Sequence, residues 1–212
     1  MEICNLDNMA LRGCWSITES FNDFACDLPA WEVKQLQENI ANPQKLIESL
    51  AARFLVKEMV QKAGFLYEGL SKTLRKAPYF ANSTYKISIS HTKKYAMAIL
   101  HPTYTVGIDI EQIRTQLQRI AARIMSLEEL EFAQNDITRL ALLWSAKETL
   151  YKIYAQRELH FIRDMCVIPF LPAQKGVFET YLFPNTHHAK KIHMEYEQID
   201  DEHYCTWAIA AD

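Results

Sequence analysis

The chain has 212 residues, 49% of them hydrophobic and 23% charged, with a formal net charge of −3. That balance belongs to an ordinary globular protein, long enough for one larger domain or two small lobes with modest cores. It excludes a general attraction to nucleic acid or to an anionic membrane, and no apolar run approaches the roughly 18 residues that a membrane span needs.

The N-terminus, Met1-Glu2-Ile3-Cys4-Asn5, lacks the basic start and apolar run of a secretory leader. Five cysteines, an odd number with no Cys-x-x-Cys spacing, read as reduced structural thiols. Both point to a cytoplasmic protein.

Gly13 to Thr18 suits an early strand, and Pro29 to Gln37 a short helix. Asn42-Pro43 is a helix start, with Asn as N-cap and Pro at the first helical position. Leu46, Ile47, Leu50, Phe54 and Leu55 then recur at helical spacing, and Gly64 is placed to end the helix. From Tyr85 the period becomes two. Strands are expected over Tyr85–Ser90, Tyr95–Leu100 and Thr105–Ile110, with His101-Pro102-Thr103 as a turn. Three strands in such close succession favour one antiparallel sheet. Ser126-Leu127-Glu128-Glu129 fits a capping box. Asp136 can cap the long helix that follows, whose core stripe is Ile137, Leu140, Leu143 and Leu150. The tail returns to strands over Val177–Phe183, Ile192–Glu197 and Tyr204–Ala210. Helix then sheet, followed by helix then sheet, predicts an α+β fold of two similar lobes, each a small, mostly antiparallel sheet packed with helices. The division is expected near His101–Thr105, giving lobes of residues 1–103 and 104–212.

Two stretches carry the chemistry. In Gly107-Ile108-Asp109-Ile110-Glu111, the strand period puts Asp109 and Glu111 on one face, roughly 7 Å apart at about 3.3 Å per residue. In Trp144-Ser145-Ala146-Lys147-Glu148-Thr149-Leu150-Tyr151-Lys152, Glu148 and Lys152 share one side of a helix. Each has a plainer reading. Ile alternating with Asp and Glu is what a half-exposed strand shows, and Glu148–Lys152 is the favourable order for a surface ion pair. If the helix crosses the strand, however, three carboxylates converge on one hard cation with an ammonium beside it. Such a site suits a phosphate-bearing substrate held through magnesium. His187, His188 and His193 lie in a polar loop and strand without metal-ligand spacing, and read as surface residues.

Together the two stretches resemble the 4′-phosphopantetheinyl transferase superfamily, in the larger, pseudo-dimeric branch typified by the enzyme that activates surfactin synthetase. That branch shows Gly-Ile-Asp-Ile/Val-Glu, followed about thirty-five residues later by Trp-Ser-x-Lys-Glu-x-x-x-Lys. Two upstream elements add to the likeness: Ile87-Ser88-Ile89-Ser90-His91-Thr92, and Arg75-Lys76-Ala77-Pro78-Tyr79-Phe80. The resemblance runs from about Lys45 to about Lys152. Two features depart from it. Ala155-Gln156-Arg157-Glu158-Leu159-His160 replaces a glycine-bearing loop, and Ala77 stands where a basic residue often precedes the proline.

The resemblance implies magnesium-dependent transfer of the phosphopantetheine arm of coenzyme A to a serine of an acyl or peptidyl carrier protein, with release of 3′,5′-ADP. It implies Asp109, Glu111 and Glu148 as metal ligands, and Glu148 and Lys152 as the catalytic pair. It implies coenzyme A contacts at Pro78, Ser90, His91, Thr92 and Lys152. Lys45, Arg53 and Lys76 are the candidate cations for the 3′-phosphate, Arg53 foremost because it interrupts an apolar run. Glu129 stands near a functional acid of some relatives, although capping explains it. Arg114, Arg119 and Arg123 can form a basic rim for an acidic carrier or a solvated helix face. Two lobes in one chain point to a monomer. The alternatives are a non-catalytic module that binds coenzyme A or a carrier protein, and a metal-dependent phosphohydrolase.

Overall fold

The computed structural model describes residues 1–6, 9–74, 77–154 and 159–210. Lys76, and residues 155–158 of the loop singled out above, lie outside these. The chain divides into two compact units, Met1–Thr105 and Val106–Asp212.

The first unit contains strands β1 (Glu2–Asn5) and β2 (Leu11–Ser16), helices α1 (Phe21–Ala25), α2 (Ala30–Asn39) and α3 (Pro43–Lys62), the short pair β3 (Ser71–Lys72) and β4 (Pro78–Tyr79), and strands β5 (Lys86–His91) and β6 (Tyr95–His101). Its main sheet has the order β1-β2-β6-β5 and is antiparallel throughout. The long helix α3 starts as its sequence dictates: the Asn42 side chain accepts from Lys45 N at 3.0 Å, with Pro43 next. It ends before Gly64, whose φ of +87° only glycine adopts without strain. Between these ends α3 buries Leu50, Ala51, Ala52, Leu55, Val56, Met59 and Val60 in the core of this unit.

The second unit contains β7 (Thr105–Gln112), helices α4 (Gln116–Ile124), α5 (Leu127–Ala133) and α6 (Ile137–Tyr154), and strands β8 (Met165–Val167), β9 (Lys175–Leu182), β10 (Lys190–Asp200) and β11 (His203–Ala210). Its sheet order is β7-β11-β10-β9-β8. Asp136 caps α6 by accepting from Arg139 N at 2.9 Å, and Ser126 and Glu129 form the expected capping box on α5. Leu140, Leu142, Leu143, Ala146 and Leu150 of α6 enter a core with Met165, Phe178, Ile192 and Met194. The protein is thus a mixed α+β fold with antiparallel sheets. Among the described residues no helix is long and apolar enough to cross a membrane.

The three consecutive strands do not form one sheet. β5 and β6 pair, but β7 joins the second sheet as the neighbour of β11. The link between β6 and β7 is not a tight hairpin. Its conformation is set by His101, a fully buried imidazole whose Nδ1 accepts from the N–H groups of Thr103 (3.0 Å) and Tyr104 (2.7 Å). Nor is β7 half-exposed: Val106 through Glu111 are all buried.

Candidate active site

Gly107 explains why both faces of β7 are covered. A Cβ there would lie 2.5 Å from the Thr149 carbonyl oxygen and 2.7 Å from Ile153 Cγ1. The α6 backbone therefore rests directly on the strand, on the face that also carries Asp109 and Glu111. Hydroxyl groups stitch the contact. Ser145 Oγ donates to the Asp109 carbonyl (3.2 Å) and lies 3.0 Å from Thr206 Oγ1. Thr149 Oγ1 donates to the Thr206 carbonyl at 3.2 Å. Gly107→Ala is expected to destabilise the unit by about 1–3 kcal/mol through overpacking; an unchanged denaturation midpoint would contradict the contact.

This crossing gathers the residues singled out in the second unit. Lys152 Nζ donates to Asp109 Oδ1 and to the Ile108 carbonyl, each at 2.8 Å. Asp109 is 6% exposed and Glu111 8%. Burial raises the Glu111 carboxyl above its ordinary range, and the Asp109 charge adds to this. The Arg114 guanidinium, 3.0 Å away, and hydrogen bonds from the Trp144 indole and the Gln112 N–H oppose the rise. Glu148 is pushed up to about 7, first by burial, then by the charges of Asp109 and Glu111, with Lys152 opposing. Three carboxyls thus feel one another in one place. Among the described residues, though, no three acidic, histidine or cysteine side chains are already closed into a metal cage. Lys152 holds Asp109 and Arg114 holds Glu111. Arg114 is therefore tied to this cluster, whereas Arg119 and Arg123 are exposed on α4.

The raised Glu148 carboxyl makes a stability prediction. The folded chain holds this proton to about pH 7, whereas the unfolded chain loses it near the ordinary 4.5. The contribution is greatest below the lower value and falls as pH rises through the upper one. Without divalent cation, about 3 kcal/mol of stability is expected to disappear over that window. Glu148→Gln should flatten most of this slope in a melting series. An equal slope in that variant would contradict the assignment.

Glu129 and Lys147 form a separate, fully internal pair, with Nζ and Oε2 2.6 Å apart and exposures of 0% for Lys147 and 1% for Glu129. Burial pushes Lys147 below its ordinary range, with Glu129 opposing.

In the first unit, His91 Nδ1 faces Glu48 Oε2 at 3.0 Å and its Nε2 lies 3.4 Å from Ser49 Oγ. A carboxylate only accepts, so Nδ1 carries the proton. Lys45 Nζ pairs with the same Glu48 oxygen at 2.6 Å. Burial raises the Glu48 carboxyl, but the His91 and Lys45 bonds outweigh it and hold the group below its ordinary range. His91 and Lys45 therefore sit together around an internal anion that sequence reasoning missed. Its signal was available: Lys45, Glu48 and Ser49 fall at i, i+3 and i+4 on α3.

Of the remaining described candidates in the first unit, Arg53 is the one whose surroundings differ from a phosphate ligand's. Arg53 does not face solvent. It is 3% exposed, with Nε 3.0 Å from Glu32 Oε1 and Nη1 donating to the Ser49 carbonyl at 3.2 Å. Glu32, fully buried, also accepts from the Tyr67 hydroxyl (2.9 Å) and the Leu70 N–H (3.0 Å). Arg53 interrupts an apolar run because it has this partner inside the core. Thr92 Oγ1 accepts from the N–H groups of Lys94 and Tyr95 and so shapes the β5–β6 turn. Ser90 is buried on β5, and Pro78 pairs with Lys72 in the two-stranded sheet.

Residues 105–208 match the family model of the 4′-phosphopantetheinyl transferase superfamily. No curated protein matches the chain. The matched segment begins at β7 and contains the whole Asp109–Glu111–Glu148–Lys152 cluster. The similarity supports a transferase that moves phosphopantetheine, with coenzyme A as the general substrate of that family.

Proposed function

We propose that this protein transfers the 4′-phosphopantetheine group of coenzyme A to a serine hydroxyl of an acyl or peptidyl carrier protein, releasing 3′,5′-ADP. The observation that carries the reading is the convergence of Asp109, Glu111 and Glu148, with Lys152 among them, where α6 crosses β7. In the reaction the serine oxygen bonds to the β-phosphorus and the bond to the 3′,5′-ADP oxygen breaks. The chain supplies alignment, charge and a route for the proton.

The donor set fits magnesium, an all-oxygen cation. Asp109, Glu111 and Glu148 would hold it, because each of these carboxyls sits in the field of the others and a double positive charge relieves that repulsion. When bound, it would act as a Lewis acid on the diphosphate. Glu148 receives the serine proton, because its carboxylate stands in the acidic cluster where α6 crosses β7. Lys152, held on β7 by the Ile108 carbonyl and Asp109, presents an ammonium that neutralises the leaving phosphate.

His91 and Lys45 are the first unit's candidates for the coenzyme's phosphates, on the strength of their clustering around Glu48. Lys76, Pro78, Ser90 and Thr92 are carried with them from the sequence resemblance. The protein acts as a monomer in the cytoplasm, in keeping with two lobes in one chain and an odd set of cysteines without Cys-x-x-Cys spacing.

The test is the intact mass of apo carrier proteins incubated with coenzyme A, magnesium and this protein. A gain of one phosphopantetheine mass is expected on at least one carrier from a panel covering fatty-acid, polyketide and peptide synthesis; no gain on any would sink the proposal. The ion pairs Lys152–Asp109 and Arg114–Glu111 favour a second reading, a non-catalytic module that binds coenzyme A or a carrier protein. Coenzyme A binding without 3′,5′-ADP release would select it.

A further inference from the structure

Lys147 is buried, charged and unused by the reaction proposed above. An ammonium has three donors, and three acceptors meet it: Glu129 Oε2 at 2.6 Å, the Phe161 carbonyl at 2.8 Å and the Ile124 carbonyl at 2.9 Å. Glu129 is equally committed. Its Oε2 also accepts from the Ser126 N–H at 2.7 Å, and its Oε1 accepts from the Val167 N–H at 3.0 Å. One ion pair thus joins α6 to the end of α4, the start of α5, strand β8 and the segment at Phe161. At 1% exposure, Glu129 has no face open to a substrate hydroxyl.

Consecutive helical residues are separated by about 100° around the axis. A clamp on Lys147 therefore sets the direction in which Glu148 points. The same joint places Phe161, whose ring stacks on Trp144 (5.4 Å, 19°) and on Tyr151 (6.1 Å, 5°). Trp144 in turn donates to Glu111. Both acids of the cluster that lack Lys152 as a direct partner are thus oriented through one buried pair.

We infer that Lys147 and Glu129 are positioning residues, which hold α6 and the Phe161 segment so that Glu148 and Glu111 face Asp109, and that Glu129 takes no proton from the substrate. The inference rests on the proposed function for its catalytic readout. Removing Lys147 alone would strand a buried charge, so the informative variant neutralises both partners, Lys147→Met with Glu129→Gln. This double variant is expected to melt cooperatively while binding Mn²⁺ about 10- to 100-fold more weakly, with a similar loss in kcat. Its KM for coenzyme A should stay within roughly threefold at saturating metal. Mn²⁺ binding is read by electron paramagnetic resonance and so does not depend on turnover. Unchanged Mn²⁺ affinity and kcat in the folded double variant would overturn the inference.

Lys147→Gln with Glu129→Gln, which also strands no charge, serves if that double variant does not fold, and it separates positioning from proton transfer. Positioning predicts weaker Mn²⁺ binding with both limbs of the kcat pH profile unmoved. Loss of the acidic limb would make Glu129 the base and overturn the assignment. Failure of the proposed function would show in the wild-type protein, as no transfer and no Mn²⁺ binding. Failure of the inference would show as a variant that matches a functional wild type.

Discussion

Glu148→Gln is expected to abolish transfer and to stabilise the metal-free protein at neutral pH. The two effects have opposite signs for one reason. Burial and the neighbouring Asp109 and Glu111 charges make an ionised Glu148 costly in the folded chain, and a neutral amide removes that cost. The amide also removes the proton acceptor, a loss of about 100- to 10,000-fold in rate for a general base alone. Asp109→Ala should abolish transfer as well, but with the opposite effect on stability. It leaves the half-buried Lys152 ammonium without the carboxylate that it pairs with at 2.8 Å. Intact-mass kinetics and thermal melts on the same two samples decide the matter. Turnover retained in both variants would refute the metal assignment, whereas lost turnover with parallel destabilisation in both would mean a fold defect rather than a site defect.

Arg53→Met is expected to cost about 3–5 kcal/mol of stability in the first unit, because it removes one partner of a buried pair and leaves Glu32 charged and uncompensated. Burial already pushes the Glu32 carboxyl up, against the Leu70 N–H, the Arg53 charge and the Tyr67 hydroxyl. A paired substitution, Arg53→Met with Glu32→Gln, should recover part of the loss, since an amide still accepts from Tyr67 and Leu70. This variant separates two accounts of one residue. As a phosphate ligand, Arg53 would leave the melting temperature unchanged on substitution and raise KM for coenzyme A while sparing dephospho-coenzyme A. As a core ion pair it would lower the melting temperature and affect both substrates alike. The 3% exposure of Arg53 favours the second outcome.

Wherever the determinant was local, it could be read from the chain directly. Asn42-Pro43 and Gly64 bound α3 because an N-cap acceptor and a left-handed exit act within a few residues. Ser126 and Glu129 cap α5, and Asp136 caps α6, for the same reason. The period of two placed Asp109 and Glu111 on one face of β7, and the period of 3.6 placed Glu148 and Lys152 on one face of α6.

Long-range pairing decided the rest. That β7 leaves its sequential neighbours for β11 depends on a partner about a hundred residues away, which no local pattern encodes. Whether an acidic side chain is a surface charge or part of a cluster depends on what crosses it. Only the close approach at Gly107 brings the acids of β7 and α6 into one cluster. Arg53 and Glu129 show the same limit. Arg53 looks functional in one dimension, because a charge amid apolar residues has no local explanation; Glu129 reads locally as a cap, which leaves its burial unexplained. Folding supplies the missing partners, Glu32 for one and Lys147 for the other, because a charge taken out of water must be paired with another.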